Sequence, residues 1–316
     1  LTVQRISPLV DLEDIYIATN KDYKKLVMEQ LPGLPEQNIL CEPVGRNTAP
    51  CIGLGAMHIS KKYEDAVMFV LPSDHLIKFE DVYCEVLKEA KQIAEKEENL
   101  VTIGITPNYP ETGYGYIKFI PSEKEGNGNK VERFVEKPNL ELAKQYVASG
   151  EYLWNSGMFT WKVSTILKKL EAYMPETYEG LLKIRESIGT PEENEVLEKE
   201  FFAMKSDSID YGVMEKAEDI YTLPGNFGWD DVGSWLAVER VKKVNEEGNV
   251  IDGNVTTVKT ENCIIQGGDK LIATVGLKDI IVVDTADALL ISTKQDAGDI
   301  KKVLEQLKNA HKDEYI

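Results

Sequence analysis

The sequence has little sulfur, little histidine and no long apolar run. Four cysteines (Cys41, Cys51, Cys84, Cys263) and three histidines are scattered over 316 residues, with no CxxC pair. That scatter argues against a structural zinc site and for reduced thiols in the cytoplasm. No stretch approaches the roughly 18 consecutive apolar residues of a membrane span. The segment from Leu1 to Asp14 lacks the basic, apolar, small-residue order of a signal peptide, so neither membrane attachment nor export is expected. Positive charge is scarce as well: 36 Lys and Arg face 54 Asp and Glu, a net charge of −18. This balance repels a nucleic-acid backbone, so no nucleic-acid partner is expected. It also repels a nucleoside triphosphate, unless local cations and a metal reverse the field. What remains, 42% apolar and 28% charged, suits a soluble chain with one large and one small domain.

Up to about residue 105 short apolar runs alternate with helical segments. Strands are expected near 15–18, 38–41, 66–71 and 100–105, with helices over about 22–31, from Asn47-Thr48 onward, and over 82–96. Pro50 in the first turn and Asn47 or Thr48 as cap make the second of these a well-defined start. Ala66 to Leu71 is continuously apolar and reads as a strand buried on both faces. The alternation predicts an α/β fold, a mostly parallel sheet flanked by helices. From 112 to 162 the texture becomes paired strands (114–120 and 130–136) joined by Gly126-Asn127-Gly128-Asn129. Helices over 139–150, 163–172, 176–188 and 191–203, a strand at 220–223 and a helix after Ser234 complete a domain of residues 1–249. Residues 250–316 read as a small domain: short strands at 250–259, 263–265, 271–275, 280–284 and 288–292, then a helix at 295–311. A β-helix is one option for it.

Several stretches carry chemistry. Leu71-Pro72-Ser73-Asp74-His75 follows a strand, where ligands of parallel α/β sheets bind, and Asp74 can hold Mg²⁺ against phosphate oxygens or merely cap a turn. Gly228-Trp229-Asp230-Asp231-Val232-Gly233 is a second acidic point, either a metal ligand with a helper or acids favouring a helix start. Glu42-Pro43-Val44-Gly45-Arg46-Asn47-Thr48-Ala49-Pro50 leads into a helix N-terminus. It is either an anion or nucleobase site, with Glu42 accepting from guanine N1–H and its amino group, or a capped helix with a surface Arg. Glu136 and Lys137 can bind sugar hydroxyls and a phosphate, or each other. The glycines of Thr112-Gly113-Tyr114-Gly115 suit a close sugar ring or a bend. Trp154-Asn155-Ser156-Gly157 offers an amide and an aromatic wall, or core.

The succession EPVGRNTAP, LPSDH, TGYGYI, FVEKP, WNSGMF, SIDYGVMEK and WDDVGSW resembles the mannose-1-phosphate guanylyltransferase family of sugar nucleotidyltransferases, across at least residues 15–240. The resemblance implies a Rossmann-like nucleotidyltransferase domain with a small C-terminal β-rich domain. The implied reaction joins GTP and mannose 1-phosphate into GDP-mannose and pyrophosphate. It further implies Mg²⁺ on Asp74 and Asp231, Lys137 on the sugar phosphate, and Glu136 on sugar hydroxyls. Gly115 and Asn155 would line the mannose pocket, with Asp210 of SIDYGVMEK a further substrate contact. Arg46, Asn47 and Thr48 would lie near the nucleotide, with Glu42 and Pro43 as base contacts. No covalent intermediate and no general base are needed, so His75 receives no acid–base role. The family pattern opens with a loop resembling GGxGxRLWPLS and a Pro-Lys pair. This chain begins at Leu1-Thr2-Val3-Gln4-Arg5-Ile6, similar to the helix after that loop, and we expect the loop to precede it in the native protein. With Ile316 at its end we expect a monofunctional transferase, and from its short apolar C-terminal strands a homodimer. Alternative readings are a nucleotidyltransferase for another base or hexose, or a non-catalytic, ligand-sensing subunit of the same fold.

Overall fold

Strand-forming runs of β-branched and aromatic residues, cut by Gly, Pro and Asn, set the elements of the computed structural model. It describes residues 1–315; Ile316, the last residue of the expected 250–316 domain, lies outside the described residues. By contacts the chain forms two units, one of Leu1–Ser73 with Ile77–Trp229, the other of Asp74–Leu76 with the chain from Asp230 onward.

In the first unit β1 (Ile17–Asn20) and β2 (Ile39–Glu42) pair in parallel. The main sheet uses β3 (Val67–Val70), β4 (Leu100–Ile105), β5 (Tyr116–Glu125), β6 (Gly128–Val135), β7 (Tyr152–Lys162) and β8 (Ile220–Gly225). Its order is β3-β7-β4-β8-β6-β5, and β5 also pairs with β7. The helices are α1 (Thr2–Ile6), α2 (Lys24–Gln30), α3 (Thr48–Lys62), α4 (Glu80–Ala94), α5 (Leu140–Ser149), α6 (Val163–Tyr173), α7 (Pro175–Ser187) and α8 (Glu193–Ala203). One core gathers Leu54 and Met57 of α3, Trp161 of β7 and Phe201 of α8. A second gathers Tyr83 and Leu87 of α4 with Tyr116, Trp154 and Phe227. Complete burial of such side chains supplies about 1.5–3 kcal/mol each.

Two details differ from the sequence expectation. The sheet is mixed: β4–β8 is its parallel pair, whereas β7 runs antiparallel to β3, β4 and β5, and β6 antiparallel to β5 and β8. Alternation of strand and helix implies parallel neighbours, but β7, whose aromatic run reads in the sequence as a pocket wall or core, inserts antiparallel between β3 and β4. The run 66–71 is likewise not buried on both faces. Every residue of β3 is half-buried, because the strand lies at the end of the sheet and pairs with β7 alone among the described residues. Apolar residues on both sides suit a half-covered edge as well as a sheet centre.

The second unit holds β9 (Val250–Asp252), β10 (Val255–Val258), β11 (Ile264–Gln266), β12 (Ile272–Val275), β13 (Ile280–Asp284) and β14 (Leu289–Thr293), with α9 (Val238–Val241) and α10 (Ile300–Asn309). β9, β11 and β13 stack in parallel, as do β10 and β12, while β14 closes antiparallel on β13. This alternation between two parallel stacks is the rung pattern of a β-helix. Strand alternation sends Ile264 to a cluster with Val250 and Ile281, and its neighbours Cys263 and Ile265 to another with Val282. Asn249, 1% exposed, ties successive rungs: its amide nitrogen donates to Thr260 O at 2.7 Å and its oxygen accepts from Cys263 N–H at 2.8 Å.

Candidate active site

Four of the expected pocket residues meet in the first unit. Gly115 precedes β5, Glu136 follows β6, Asn155 lies in β7 and Asp210 opens a π-helical turn over Asp210–Met214. Asn155 N–H donates to Gly115 O at 2.8 Å, and its amide nitrogen donates to Asp210 Oδ1 at 2.8 Å across 55 positions of sequence. A Cβ on residue 115 would stand 2.5 Å from Glu136 Oε2 and 3.5 Å from Asn155 Cβ, so the Glu136 carboxylate occupies the space that a side chain at 115 would take. The register between β4 and β7 shifts where Thr102 faces Phe159 but Gly104 faces Asn155. Such a bulge re-aims a side chain. Gly157, at φ 69°, permits it, and its N–H donates to Asn155 Oδ1 at 3.1 Å. Both ends of the Asn155 amide are thereby fixed.

Carboxylates crowd this point. Burial raises the pKa of Asp210; the Asn155 hydrogen bond offsets part of that, and the like charge of Glu136 adds to it. Glu215 is raised too, by burial and then by Glu136 and Asp210. It was not singled out in the sequence, although its place five residues after Asp210, where Glu215 N–H bonds Asp210 O at 2.8 Å, is the π-turn spacing. Lys137 is exposed, with Nζ 3.4 Å from Glu136 Oε1. Without substrate the two satisfy each other in a solvent-screened pair worth about 0–1 kcal/mol, which a phosphate can replace.

At the end of β2, Glu42 Oε1 is shielded from solvent with no hydrogen-bond partner among the described residues. Burial raises the carboxyl's pKa, and the Cys51 thiol beside it, on α3, lowers it somewhat. Cys51 in turn is pushed up to about 12, first by burial and then by the Glu42 charge. The sequence does not display Cys51 as part of this site; only its position just inside the helix that follows Glu42 hints at it. Pro43 next to Glu42 is half-buried. Asn47 caps α3, its side chain accepting from Thr48 N–H at 2.8 Å. Arg46 is directed elsewhere: Nε donates to Phe201 O at 3.1 Å and Nη2 to Phe202 O, at the carboxyl end of α8. It therefore caps a helix C-terminus, where a cation is favoured. Thr48 Oγ1 accepts from Ile209 N–H at 2.9 Å.

In the second unit an antiparallel bridge joins Leu76 and Asp230, with N–H···O distances of 2.9 and 3.1 Å. Asp74 precedes Leu76 by two residues and Asp231 follows Asp230 by one, so antiparallel running places both on the same side of the bridge. The neighbouring acids differ. Asp230 is buried and saturated: Arg240 Nε and Nη2 donate at 2.5 and 3.1 Å, and Val232 N–H at 2.8 Å. Asp231 is half-exposed, with Oδ1 accepting from Gly233 N–H at 3.2 Å, and Asp74 is exposed. Among the described residues no three or more His, Cys, Asp or Glu assemble into a cation cage. Two solvent-accessible carboxylates still fit a hard divalent cation that keeps waters and substrate phosphate oxygens as its other ligands.

Positive φ at non-glycine residues marks three of these motif loops: Asn47 (66°), Lys137 (44°) and Val232 (49°). Asn47, at ψ −172°, lies outside the left-handed helical well that Asn tolerates, and a β-branched residue such as Val232 takes positive φ only under strain of about 1–3 kcal/mol.

Comparison with known proteins gives the family. Residues 2–247 match the family model described as nucleotidyl transferase, and residues 253–307 the one described as mannoseP isomerase/GMP-like beta-helix domain. The chain is 41% identical to the mannose-1-phosphate guanylyltransferase of Escherichia coli strain K12, over 95% of this chain and 64% of that protein. It is 39% identical to the one from Salmonella montevideo, over 100% of this chain and 68% of that protein. It thus spans about two thirds of the length of these relatives. The crystal structure of a protein described as mannose-1-phosphate geranyltransferase from Thermus thermophilus superposes with a TM-score of 0.87. The sequences are 33% identical, with 97% of this chain and 88% of that one covered.

Proposed function

Since this chain belongs to the nucleotidyl transferase family, and within it to the mannose-1-phosphate guanylyltransferases, we propose that it transfers GMP from GTP to mannose 1-phosphate, giving GDP-mannose and pyrophosphate. The observation that carries the reading is the meeting of Gly115, Glu136, Asn155 and Asp210. Two carboxylates and an amide around a residue without a side chain suit the hydroxyls of a sugar ring, and Lys137 stands beside them for its phosphate. Glu42, beside half-buried Pro43 in the loop that enters α3, suits the N1–H and 2-amino groups of guanine, which adenine does not present. Asp74 and Asp231 would hold Mg²⁺, which when bound neutralises charge on the triphosphate.

The chemistry asks for positioning rather than proton transfer. A sugar-phosphate oxygen, already ionised at neutral pH, forms the new bond to the α-phosphorus as the bond to pyrophosphate breaks. Glu136, Asn155 and Asp210 fix the ring, so the attacking oxygen keeps one orientation. Lys137 leaves its weak pair with Glu136 for the sugar phosphate.

A homodimer is proposed on the β-helical unit, supported by Leu289 and Ile291, 57% and 62% exposed on the edge strand β14, and by α10, where no residue is buried. Exposed apolar rows of this kind invite a second copy. The unpaired cysteines Cys41, Cys51, Cys84 and Cys263 support a reducing, cytoplasmic location. Among the described residues, no helix is long and apolar enough to cross a membrane.

A panel of nucleoside triphosphates and hexose 1-phosphates tests the specificity on the full-length protein. We expect kcat/KM to be highest for GTP with mannose 1-phosphate, and to fall about tenfold or more for ITP, which lacks the 2-amino group. Preference for another base or hexose would replace this reading with the broader transferase; no turnover with any pair would favour a sensing subunit.

A further inference from the structure

The Glu42–Ala49 loop, expected from its sequence to face the nucleotide, is bonded to the segment that carries Asp210. Three hydrogen bonds join them. Asp207 N–H donates to Arg46 O at 3.3 Å, Ala49 N–H donates to Asp207 O at 3.1 Å, and Ile209 N–H donates to Thr48 Oγ1 at 2.9 Å. Only the last uses a side chain, and it spans 161 positions of sequence. Ile209 is 1% exposed and immediately precedes the π-helical turn. The first N–H groups of a helical turn have no partner within it. Ser208 Oγ serves Tyr211 N–H at 3.2 Å, and Ser208 O serves Gly212 N–H at 2.8 Å. The Thr48 hydroxyl is the acceptor for Ile209.

We propose that Thr48 is a positioning residue for the sugar subsite: by accepting Ile209 N–H it fixes the start of the turn that presents Asp210 to Asn155. This rests on the reading of the Gly115, Glu136, Asn155 and Asp210 cluster as that subsite. The chain of contacts is continuous, from Thr48 to Ile209, through the backbone to Asp210, from Asp210 Oδ1 to the Asn155 amide, and from Asn155 N–H to Gly115 O. Asn47 and Arg46 hold the other side of Thr48 in place. The Asn47 side chain accepts from Thr48 N–H, and Arg46 is anchored on the carbonyls of Phe201 and Phe202. Thr48 thus acts on mannose 1-phosphate without touching it, and its influence on GTP is minor.

Thr48→Val keeps the shape of the side chain and removes the acceptor, while Thr48→Ser keeps the acceptor. On the full-length protein, calorimetric Kd and steady-state KM for mannose 1-phosphate and for GTP are measured separately, together with hydrogen exchange of the Ile209 amide. For Thr48→Val we expect the sugar-phosphate Kd and KM to rise about tenfold, the scale of losing an acceptor to a buried donor. GTP values should stay within about twofold, Ile209 exchange should accelerate, and Thr48→Ser should restore both the sugar-phosphate values and the exchange rate. Faster Ile209 exchange with unchanged sugar-phosphate affinity would overturn the positioning role. So would a larger effect on GTP than on the sugar phosphate. A wild-type protein that binds GTP but no hexose 1-phosphate would remove the subsite reading and this proposal with it, an outcome separate from the other two.

Discussion

Asp210, in the proposed sugar subsite, carries a cost to stability. Because burial and the nearby Glu136 raise its pKa, the native state holds this proton at a pH where the unfolded chain has released it. Stability from this group therefore falls as pH rises from the ordinary value of 3.8 through the raised one. Asp210→Asn keeps an acceptor for the Asn155 amide and removes the charge. At pH 7 we expect Tm to rise by about 2–3 °C, and the gain to shrink as pH is lowered toward 4. The KM for mannose 1-phosphate should rise at the same time; a lower Tm at pH 7 would contradict this account. The adjacent acids of the WDDVG loop are expected to separate by role. Asp231→Asn should lower turnover by about two orders of magnitude with little change in Tm, as when a metal's charge is lost from the reacting phosphates. Asp230→Asn breaks the bidentate Arg240 pair and should instead cost about 1–3 kcal/mol of stability; equal turnover losses without a stability difference would refute the division. The sequence displayed both aspartates but not which one Arg240 saturates, because that partner lies on a helix whose approach depends on the fold. It likewise displayed Glu42 but not Cys51 beside it.

At the scale of elements, periodicity located most strands and helices to within a few residues, and Asn47 with Pro50 marked the start of α3. β7 escaped because Asn155-Ser156-Gly157 interrupts its aromatic run, and that same interruption is the bulge that aims Asn155. The feature that hid the strand is thus part of the candidate site. Mixed pairing was illegible for a related reason: alternation along the chain gives strand direction, whereas insertion of β7 between β3 and β4 is a tertiary choice. Arg46 illustrates the limit for side chains. A loop arginine before a helix N-terminus reads as an anion ligand, yet its guanidinium serves the last carbonyls of α8. Arg46→Ala should therefore destabilise the protein by about 1–2 kcal/mol through fraying of α8. Urea unfolding would show a lower midpoint, with GTP affinity changed less than about threefold. A tenfold loss of GTP affinity at unchanged stability would return Arg46 to the nucleotide.

For the whole molecule, the family motifs point to a nucleotidyltransferase, and assembly is the role we propose for its β-helical unit. If β14 pairs two copies, Ile291→Lys places a charge on the edge strand and should convert the dimer to monomer in light scattering. A wild type that is already monomeric, or an unaffected dimer, would move or remove that interface. The transfer of GMP can be followed in a single reaction. The full-length protein is incubated with Mg²⁺, mannose 1-phosphate and GTP labelled at the α-phosphorus, and label and pyrophosphate are followed together. We expect label in GDP-mannose in one-to-one ratio with pyrophosphate released, and none without the sugar phosphate. Label that stays in GTP, or that appears in GMP or GDP, would contradict it.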